Sequence, residues 1–190
     1  NWYGWTMLHC AIGYDRLDIA ELLLEHGADP NICDKDGDTP LKFASKAGNT
    51  DVVELLLEKD ADPNISNKDG NTPLMGASKG GHTNIVEQLL EKGVDANICD
   101  EHGRTPLTLA SEYGHTNIAE QLLEKGADPN ISNKFGSTPL IFASKGGHTD
   151  IVKLLLEKGV DPDISNEDGN TPLIEASKGG HTNIVKLLLE

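Results

Sequence analysis

The chain has 190 residues and a net charge of −15, because 31 acidic residues outnumber 16 lysines and arginines. An electrostatic field of this sign repels phosphate backbones, so we expect no direct binding to nucleic acid. No apolar run approaches the length that spans a bilayer, so we expect no direct membrane contact. The cysteines are three, Cys10, Cys33 and Cys99, an odd number that favours a reducing compartment and a cytoplasmic location, with the nucleus as the alternative.

One sequence frame recurs along the whole chain every 33 residues. The tripeptide Thr-Pro-Leu begins at the same position of five successive segments, at Thr39, Thr72, Thr105, Thr138 and Thr171. Thr6-Met7-Leu8 is a degenerate sixth copy. A fixed period of this length indicates a stacked-repeat protein. We therefore treat 1–190 as a single domain made of six repeats, at about 1–33, 34–66, 67–99, 100–132, 133–165 and 166–190.

Each repeat predicts a turn followed by two short helices, as the segment 67–99 illustrates. Asn67-Lys68-Asp69-Gly70 has turn chemistry, Thr72 suits a helix N-cap, and Pro73 suits the first helical position. Gly80-Gly81 is expected to end the first helix, and Gly93 to end the second. The second helix carries one apolar stripe, made of Ile85, Val86, Leu89 and Leu90.

One such helix pair cannot bury its own apolar stripe, so stability must come from stacking repeat on repeat. A small residue in the first helix would permit close approach of neighbouring helices, at Ala44, Ala77, Ala110, Ala143 and Ala176. The unit resembles the ankyrin repeat in its length and in its T-P-L-x-x-A frame. It also shares the G-A-D-P-N ending, which occurs at 27–31 and 126–130. The resemblance covers essentially the whole chain. It implies an all-α solenoid of helix-turn-helix pairs joined by β-hairpin-like loops.

Several positions depart from the ankyrin pattern. The first repeat alone keeps T-x-L-H, at Thr6 to His9, and the later repeats place other residues where the family usually has His, namely Lys42, Met75, Thr108, Ile141 and Ile174. We expect the usual hydrogen bond from that His back to Thr to be lost in those repeats. Asp60 replaces the Gly that closes the second helix elsewhere, so we expect local strain or a looser turn there.

Neither end of the chain carries the polar outer face that is usual for a terminal repeat. The chain starts inside a turn at Asn1 and stops at Glu190 after three leucines. We therefore expect further repeats of the same chain at both ends. The alternative is a complete short protein with frayed ends.

Four histidines share one repeat position, namely His82, His115, His148 and His181. Each belongs to a different layer, so neighbours lie roughly 10 Å apart, whereas zinc ligands lie about 2.0–2.3 Å from one ion. We therefore expect no metal site, and a local bond between layers from each ring. No nucleophile–base pair, carboxylate pair or Gly-rich cofactor loop stands out from the repeat frame, so we predict no catalytic residue and no cofactor.

The asparagines at the repeat ends are Asn31, Asn64, Asn97 and Asn130. The resemblance implies that they are structural residues that bond backbone in the hairpin region, and it makes them weak candidates for modification by an asparaginyl hydroxylase. Asn64-Ile65-Ser66 and Asn130-Ile131-Ser132 also match the glycosylation acceptor pattern. The cysteine usage favours coincidence for those two matches.

In ankyrin proteins, partners dock on the hairpin tips and on the concave face made by the first helices. By repeat position, the tips of this chain include Trp2, Tyr3, Trp5, His102, Arg104 and Phe135, and the first-helix ends include Tyr14 and Tyr113. Aromatic and Arg side chains are the usual energetic anchors of interfaces. For Trp2 and Trp5 the alternative is packing against a preceding repeat.

A second pattern at one repeat position consists of Lys46, Lys79, Lys145 and Lys178, interrupted by Glu112. These lysines would form a cationic row on the concave side of an acidic protein, a track for an acidic peptide or protein face. The alternative is that they are solvated residues that complement the helix dipole.

The sequence thus predicts a non-enzymatic scaffold that binds a protein partner of unknown identity through its concave face and hairpin tips. One alternative is the recognition arm of a larger enzyme or channel. Another is a structural or elastic spacer without a specific ligand. The near-identity of the repeats favours the spacer, and the unusual first repeat opposes it.

Overall fold

A computed structural model describes residues 4–190, so Trp2 and Tyr3 lie outside the described part of the chain. Within that part there are twelve α-helices and no strand, which confirms the all-α prediction. None of these helices is both long and apolar enough to cross a membrane. The helices are α1 Met7–Gly13, α2 Leu17–Glu25, α3 Pro40–Ala47, α4 Thr50–Glu58, α5 Pro73–Gly80, α6 Thr83–Glu91, α7 Pro106–Tyr113, α8 Thr116–Glu124, α9 Pro139–Gly146, α10 Thr149–Glu157, α11 Pro172–Lys178 and α12 Thr182–Leu188.

The chain forms two compact units, divided between Asp95 and Ala96. The first unit holds the helix pairs α1–α2, α3–α4 and α5–α6, and the second holds α7–α8, α9–α10 and α11–α12. Inside each unit, the first helix of a pair packs on its own second helix and on the first helix of the next pair. The second helices of successive pairs also pack on one another. This arrangement confirms the paired-helix repeats of an ankyrin solenoid.

Local chemistry explains where each first helix begins and ends. The hydroxyl of an N-cap threonine accepts a backbone N–H three residues on, as Thr72 does from Met75, and Pro occupies the first turn in five of the six. Four of these helices end at a Gly in the left-handed conformation, at Gly48, Gly81, Gly114 and Gly147. These observations confirm the cap and stop signals that the sequence predicts.

Buried apolar residues lie at the positions that the repeat frame predicts. In the second helix α6, Ile85, Val86 and Leu89 are fully buried. The five alanines of the first helices all have 0% exposure, at Ala44, Ala77, Ala110, Ala143 and Ala176. A side chain with only a Cβ at this position lets the first helices of one unit pack closely against each other.

Three of the four histidines at the start of the second helices, His82, His148 and His181, bond between layers as predicted. The Nε2 of His82 donates to the carbonyl oxygen of Lys46 at 3.2 Å, and that of His148 donates to Glu112 at 3.1 Å. His181 makes the same bond to Lys145 at 3.1 Å. Each ring also lies against glycines of two layers, because a Cβ at Gly114 would come 2.6 Å from His148 and a Cβ at Gly146 would collide with the same ring.

The loops are joined layer to layer through backbone groups. At the hairpin tips, Lys134 N–H donates to His102 C=O at 2.9 Å, and Glu167 N–H donates to Phe135 C=O at 3.0 Å. The side-chain oxygen of Asn97 accepts from Asp128 N–H at 2.8 Å, and Asn31 accepts from Asp62 in the same way. The structural role expected for these two asparagines is therefore confirmed.

The Thr–His hydrogen bond of the first repeat is present, and one later repeat has a bond between two threonine hydroxyls in its place. His9 is fully buried, with Nδ1 2.9 Å from Thr6 Oγ1 and Nε2 2.9 Å from the carbonyl oxygen of Asp38. At the equivalent position Thr108 keeps a bond back to the cap threonine, because its hydroxyl lies 3.1 Å from Thr105 Oγ1. A second hydroxyl can replace the imidazole there because it can donate to the cap oxygen across one helical turn.

Two aspartates adopt the backbone conformation that glycine favours. Asp60 has φ +59°, which confirms that this residue takes the left-handed geometry expected of the glycine it replaces. Asp15 has φ +54° and stands at the position of Gly48, Gly114 and Gly147, a substitution that the sequence reasoning missed. An L-residue pays a steric penalty in this region that glycine does not.

We predict that Asp60→Gly raises the free energy of unfolding by about 1 kcal/mol, because it relieves the left-handed strain. Gly126→Asp is the matched reverse change, because Gly126 has φ +88°, open space around its Cα and the same repeat position. It should lower the free energy of unfolding by a similar amount. Urea denaturation followed by circular dichroism measures both, and two neutral variants would contradict the strain at Asp60.

We also predict that Gly146→Ala lowers the free energy of unfolding by about 1 kcal/mol, because the new Cβ displaces the His148 ring from Glu112. In a His148→Asn background the same change should no longer destabilise, since helical Ala is favoured over Gly by up to ~1 kcal/mol. Gly76→Ala is the control, with its Cβ in ordinary contact 3.4 Å from Lys46, and should stabilise. Denaturation midpoints of the four variants give the coupling, and equal effects of Gly146→Ala in both backgrounds would refute it.

Candidate functional site

Three exposed aromatic side chains stand on the tips and first-helix ends. Tyr14 follows α1 with 75% of its surface exposed, and Tyr113 ends α7 with 44% exposed. Phe135 lies in the turn before α9 with 61% exposed. Large apolar surface in contact with water is unfavourable for a folded chain, so such positions mark candidate contact sites.

The tips of two successive hairpins in the second unit are joined by backbone bonds, and this brings His102 and Phe135 onto neighbouring turns. His102 N–H donates to Asp100 Oδ1 at 2.9 Å, and its carbonyl accepts from Lys134. Phe135 N–H donates to Asn133 Oδ1 at 3.0 Å. The backbone on both tips is therefore fixed, while the two side chains remain exposed. A fixed backbone reduces the ordering cost of binding a partner.

Arg104 is held by an ion pair rather than extended into solvent. Its Nε and Nη2 each lie 2.8 Å from Asp100 Oδ2, and the Asp100 side chain has 0% exposure. The other carboxylate oxygen accepts the N–H groups of His102 and Arg104 at 2.9 Å. Arg104 keeps 24% side-chain exposure, so this residue both closes the loop and presents part of its guanidinium.

Trp5 packs within the first unit. Its ring lies 5.2 Å from that of Phe43 at an interplanar angle of 72°, an edge-to-face contact with the following repeat. It also lies close to Gly13, where a Cβ would come 3.2 Å from the indole. The Trp5 side chain is half-buried as a result.

The four lysines of the predicted row are exposed, with Lys46 and Lys79 in the first unit and Lys145 and Lys178 in the second. Lys178 Nζ lies 2.8 Å from Asn170 Oδ1 and 3.1 Å from Glu175 Oε1. The backbone carbonyls of Lys46 and Lys145 accept from histidines of the next layer. Lys46 and Lys145 therefore stand on backbone that is bonded to the next layer, whereas the ammonium group of Lys178 is held by Asn170 and Glu175.

The structure offers no constellation for metal chemistry in the part of the chain that it describes, because no three His, Cys, Asp or Glu side chains converge there. Cys33 and Cys99 are exposed, and their thiols lie 3.7 Å and 3.6 Å from the carbonyl oxygens of Asn31 and Asn97. The buried His9 has both ring nitrogens engaged by Thr6 and Asp38. Its ring is therefore part of the stacking contacts.

Sequence reasoning missed several exposed apolar side chains, including Met7 at 74%, Ile19 at 45% and Leu22 at 51%. Alignment of the repeats contains the signal that could have found them. Ile19 occupies the repeat position of Val52 and Ile85, which are 3% and 0% exposed. Ile19 is exposed because no described repeat packs before the first one.

Comparison with models of known protein families matches the chain to ankyrin repeats. A family model described as ankyrin repeats, in three copies, matches residues 1–67, 59–133 and 127–190, which together span the chain.

Three curated proteins are similar to short stretches of the chain. The 2-5A-dependent ribonuclease of Homo sapiens is 54% identical over 46 residues, which are 24% of this chain and 6% of that protein. The inhibitor of Bruton tyrosine kinase from Xenopus laevis is 51% identical over 43 residues, 23% of this chain and 3% of that protein. The putative ankyrin repeat protein YahD of Escherichia coli is 47% identical over 53 residues, 25% of this chain and 26% of that protein. The chain thus matches only a minor part of the length of each.

We predict that Arg104→Ala lowers the free energy of unfolding by about 2 kcal/mol, because it leaves the buried Asp100 carboxylate without its charged partner. His102→Ala, two residues away and exposed, is the control and should change it by less than about 0.5 kcal/mol. Chemical denaturation of both variants tests this. Equal stability of Arg104→Ala and the wild type would show that the ion pair does not support the loop.

Proposed function

This chain belongs to the ankyrin-repeat family, and on that premise we propose that it is a non-enzymatic scaffold that binds a protein partner through its hairpin tips and first-helix ends. Ankyrin repeats are generally protein-interaction modules. The proposal assigns partner contacts to the exposed aromatic residues and to the lysines at the first-helix ends.

The observation that carries the proposal is the presentation of Phe135 and Tyr113 in the second unit. Both side chains are 44% exposed or more, and both stand on backbone that is fixed by helix or turn hydrogen bonds. Aromatic side chains have few rotatable bonds, so they give a large contact area at low entropic cost. His102 lies on the hairpin tip next to that of Phe135.

The lysines add positive charge at the first-helix ends of a protein that is acidic overall. Within an overall charge of −15, the second unit presents Lys145 and Lys178 at successive first-helix ends, and the first unit presents Lys46 and Lys79. A partner with an acidic surface or peptide would pair with these ammonium groups. Such pairing accelerates encounter and weakens with salt.

A second candidate is that the repeats form the recognition arm of a larger protein. The short matches support it, because the human ribonuclease and the kinase inhibitor of Xenopus laevis align over only 6% and 3% of their lengths. Sequencing the coding region on both sides of the segment for Asn1 to Glu190 tests this candidate. An added catalytic or channel domain would support it, and stop and start signals directly at both ends would exclude it.

We predict that Tyr113→Ala combined with Phe135→Ala weakens partner capture roughly 30-fold or more, as expected when interface anchors of about 2 kcal/mol are removed. The assay immobilises the 190-residue chain, captures proteins from a lysate of its source organism, and quantifies them by mass spectrometry. Lys145→Glu with Lys178→Glu should weaken the capture of acidic partners and abolish its salt dependence.

Glu120→Ala with Glu124→Ala, on the second helix α8 of the same unit, is the matched control and should retain capture. Circular dichroism first establishes that every variant remains helical. If the aromatic and lysine variants capture the same proteins as the wild type, the proposed sites are wrong. If the wild type captures nothing specific, a spacer role replaces the scaffold role.

A further inference from the structure

A groove runs between the second helices of the first two repeats. The helices α2 and α4 pack on each other in the first unit, and the groove between them has a volume of about 180 Å³. Both of its walls are helices of neighbouring repeats, so the groove is complete within the described chain. It is lined by Leu17, Glu21, Asp51, Glu54, Leu55 and Glu58. We call it the acidic groove.

Four of the six side chains that line the acidic groove are carboxylates, and all four are exposed. None of the four forms an ion pair with a lysine or arginine in the part of the chain that the structure describes. Asp51, Glu54 and Glu58 follow one another at spacings of three and four residues, so they lie along one face of α4. Glu21 lies on the other wall. The groove therefore presents a row of negative charges that no side chain of the described residues neutralises.

This row of charges extends along the helices and does not converge on one point. No three His, Cys, Asp or Glu side chains among the described residues are placed to hold a metal ion. The helix α4 rises about 10 Å between Asp51 and Glu58. Several cationic side chains of a peptide can occupy a row of that length, whereas a single ion cannot.

Leu17 gives one end of the acidic groove an apolar character. It is 38% exposed, and the half-buried Leu55 also lines the groove. The later repeats all have threonine at the position of Leu17, namely Thr50, Thr83, Thr116, Thr149 and Thr182. The apolar end is therefore specific to the first repeat.

A second cavity lies beside Leu17, where Asn49 stands in the repeat position of the interlayer histidines. Its volume is about 350 Å³, and we call it the open corner. In a later layer the imidazole takes this space, because a Cβ at Gly48 would come 2.5 Å from the His82 ring. The residues that line the open corner include Asp15, Leu17, Asn49 and Asp51. Since two of them also line the acidic groove, the two cavities are continuous.

The equivalent surfaces of other repeats lack this combination of apolar and acidic side chains. Between α4 and α6, Thr50 and Gln88 stand at the positions of the two leucines. Between α8 and α10, Thr116 stands at the position of Leu17, and a lysine replaces the central glutamate of the row. That lysine, Lys153, lies with its Nζ 3.8 Å from Asp150 Oδ1. The acidic groove is thus distinguished by both its charge and its leucines.

We propose that the acidic groove and the open corner bind a basic segment of a partner protein. Lysine or arginine side chains of that segment pair with the carboxylate row, and an apolar side chain enters the open corner beside Leu17. The dipole of α4 favours this order, because Glu54 and Glu58 lie toward its negative C-terminal end. The site goes beyond the proposed function, since it uses the second helices instead of the tips and first-helix ends. It also selects a partner of the opposite charge.

Fluorescence anisotropy with a labelled peptide tests the proposal on the 190-residue chain. The peptide is Gly-Leu-Ser-Lys-Lys-Ser-Lys-Gly, and its counterpart has alanine in place of leucine. At 0.15 M salt, exposed charges more than about 8 Å apart are largely screened, so the general acidity of the chain contributes little. Glu21→Gln with Glu54→Gln should weaken the binding of both peptides roughly 5-fold or more.

Glu87→Gln with Glu120→Gln is the matched control, because it changes the same residue type at the same repeat position of α6 and α8. It removes the same net charge and should leave the affinity within about 2-fold of the wild type. Circular dichroism first establishes that all variants remain helical. Tyr113→Ala with Phe135→Ala should bind both peptides like the wild type, which separates this site from the proposed partner site.

Two further variants test the apolar end. The wild type should bind the leucine peptide roughly 5-fold more tightly than the alanine peptide. Leu17→Thr installs the residue of the later repeats, and Asp15→Gly with Asn49→His restores their glycine and histidine. Both changes should abolish the preference for leucine, because the first removes the apolar wall and the second fills the open corner with a ring.

Three results would overturn the proposal. The wild type could bind the leucine peptide no more tightly than Glu21→Gln with Glu54→Gln does. The matched control could lose as much affinity as that variant, which would assign binding to the overall charge of the chain. Leu17→Thr could keep the full preference for leucine, which would place the apolar contact outside the open corner.

Discussion

The close approach of the first helices is the constraint on which the rest of the structure depends. A helix pair of fewer than twenty residues exposes too much apolar surface to fold by itself, so each repeat is stable only against its neighbours. The completely buried alanines, such as Ala44 and Ala143, make that approach possible because they add no side chain beyond Cβ. Once the first helices are this close, the carbonyl of Glu112 comes within reach of an imidazole from the next repeat. The layer spacing and the histidine bond are therefore two consequences of one packing distance.

Glycine and histidine are in close contact at three pairs of neighbouring repeats, Gly48 with His82, Gly114 with His148 and Gly147 with His181. A Cβ at Gly114 would meet the ring of His148, so the ring in this position requires a residue without a Cβ at 114. At the equivalent position the first repeat has Asp15, which carries a Cβ, and the following repeat has Asn49 in place of the histidine. Asn49 is smaller than the imidazole that the later repeats place at this position, and no glycine is opposite it.

The sequence predicted the helices, their caps and their core, since these depend on residue type and spacing within one repeat. Thr72 with Pro73, the stop at Gly81 and the stripe from Ile85 to Leu90 could all be identified from the 33-residue period. Contacts between layers were less accessible, because they depend on which atoms face each other across a distance that the sequence does not contain. Periodicity alone could not show that the Thr108 hydroxyl would reach Thr105, that Arg104 would be tied to a buried Asp100, or that Trp5 would pack on Phe43. The exposure of the proposed site residues was equally difficult to predict, because it depends on contacts between layers and not on the type of residue.

The same stacking rule separates structure from surface at each repeat position. Many positions that lie between layers are fixed by burial and by the alanine spacing, so they vary little among the repeats, although the buried position of His9, Lys42, Met75, Thr108 and Ile141 varies. Positions on the hairpin tips have their backbone groups satisfied by the next hairpin, as at His102 and Phe135, so their side chains can vary without loss of the fold. Variation at the tips, with His102 and Phe135 in the second unit and lysines or acidic residues elsewhere, is therefore what would distinguish one repeat from another to a partner. In a fold of near-identical layers, specificity for a partner can therefore come only from positions whose side chains make no contact between layers.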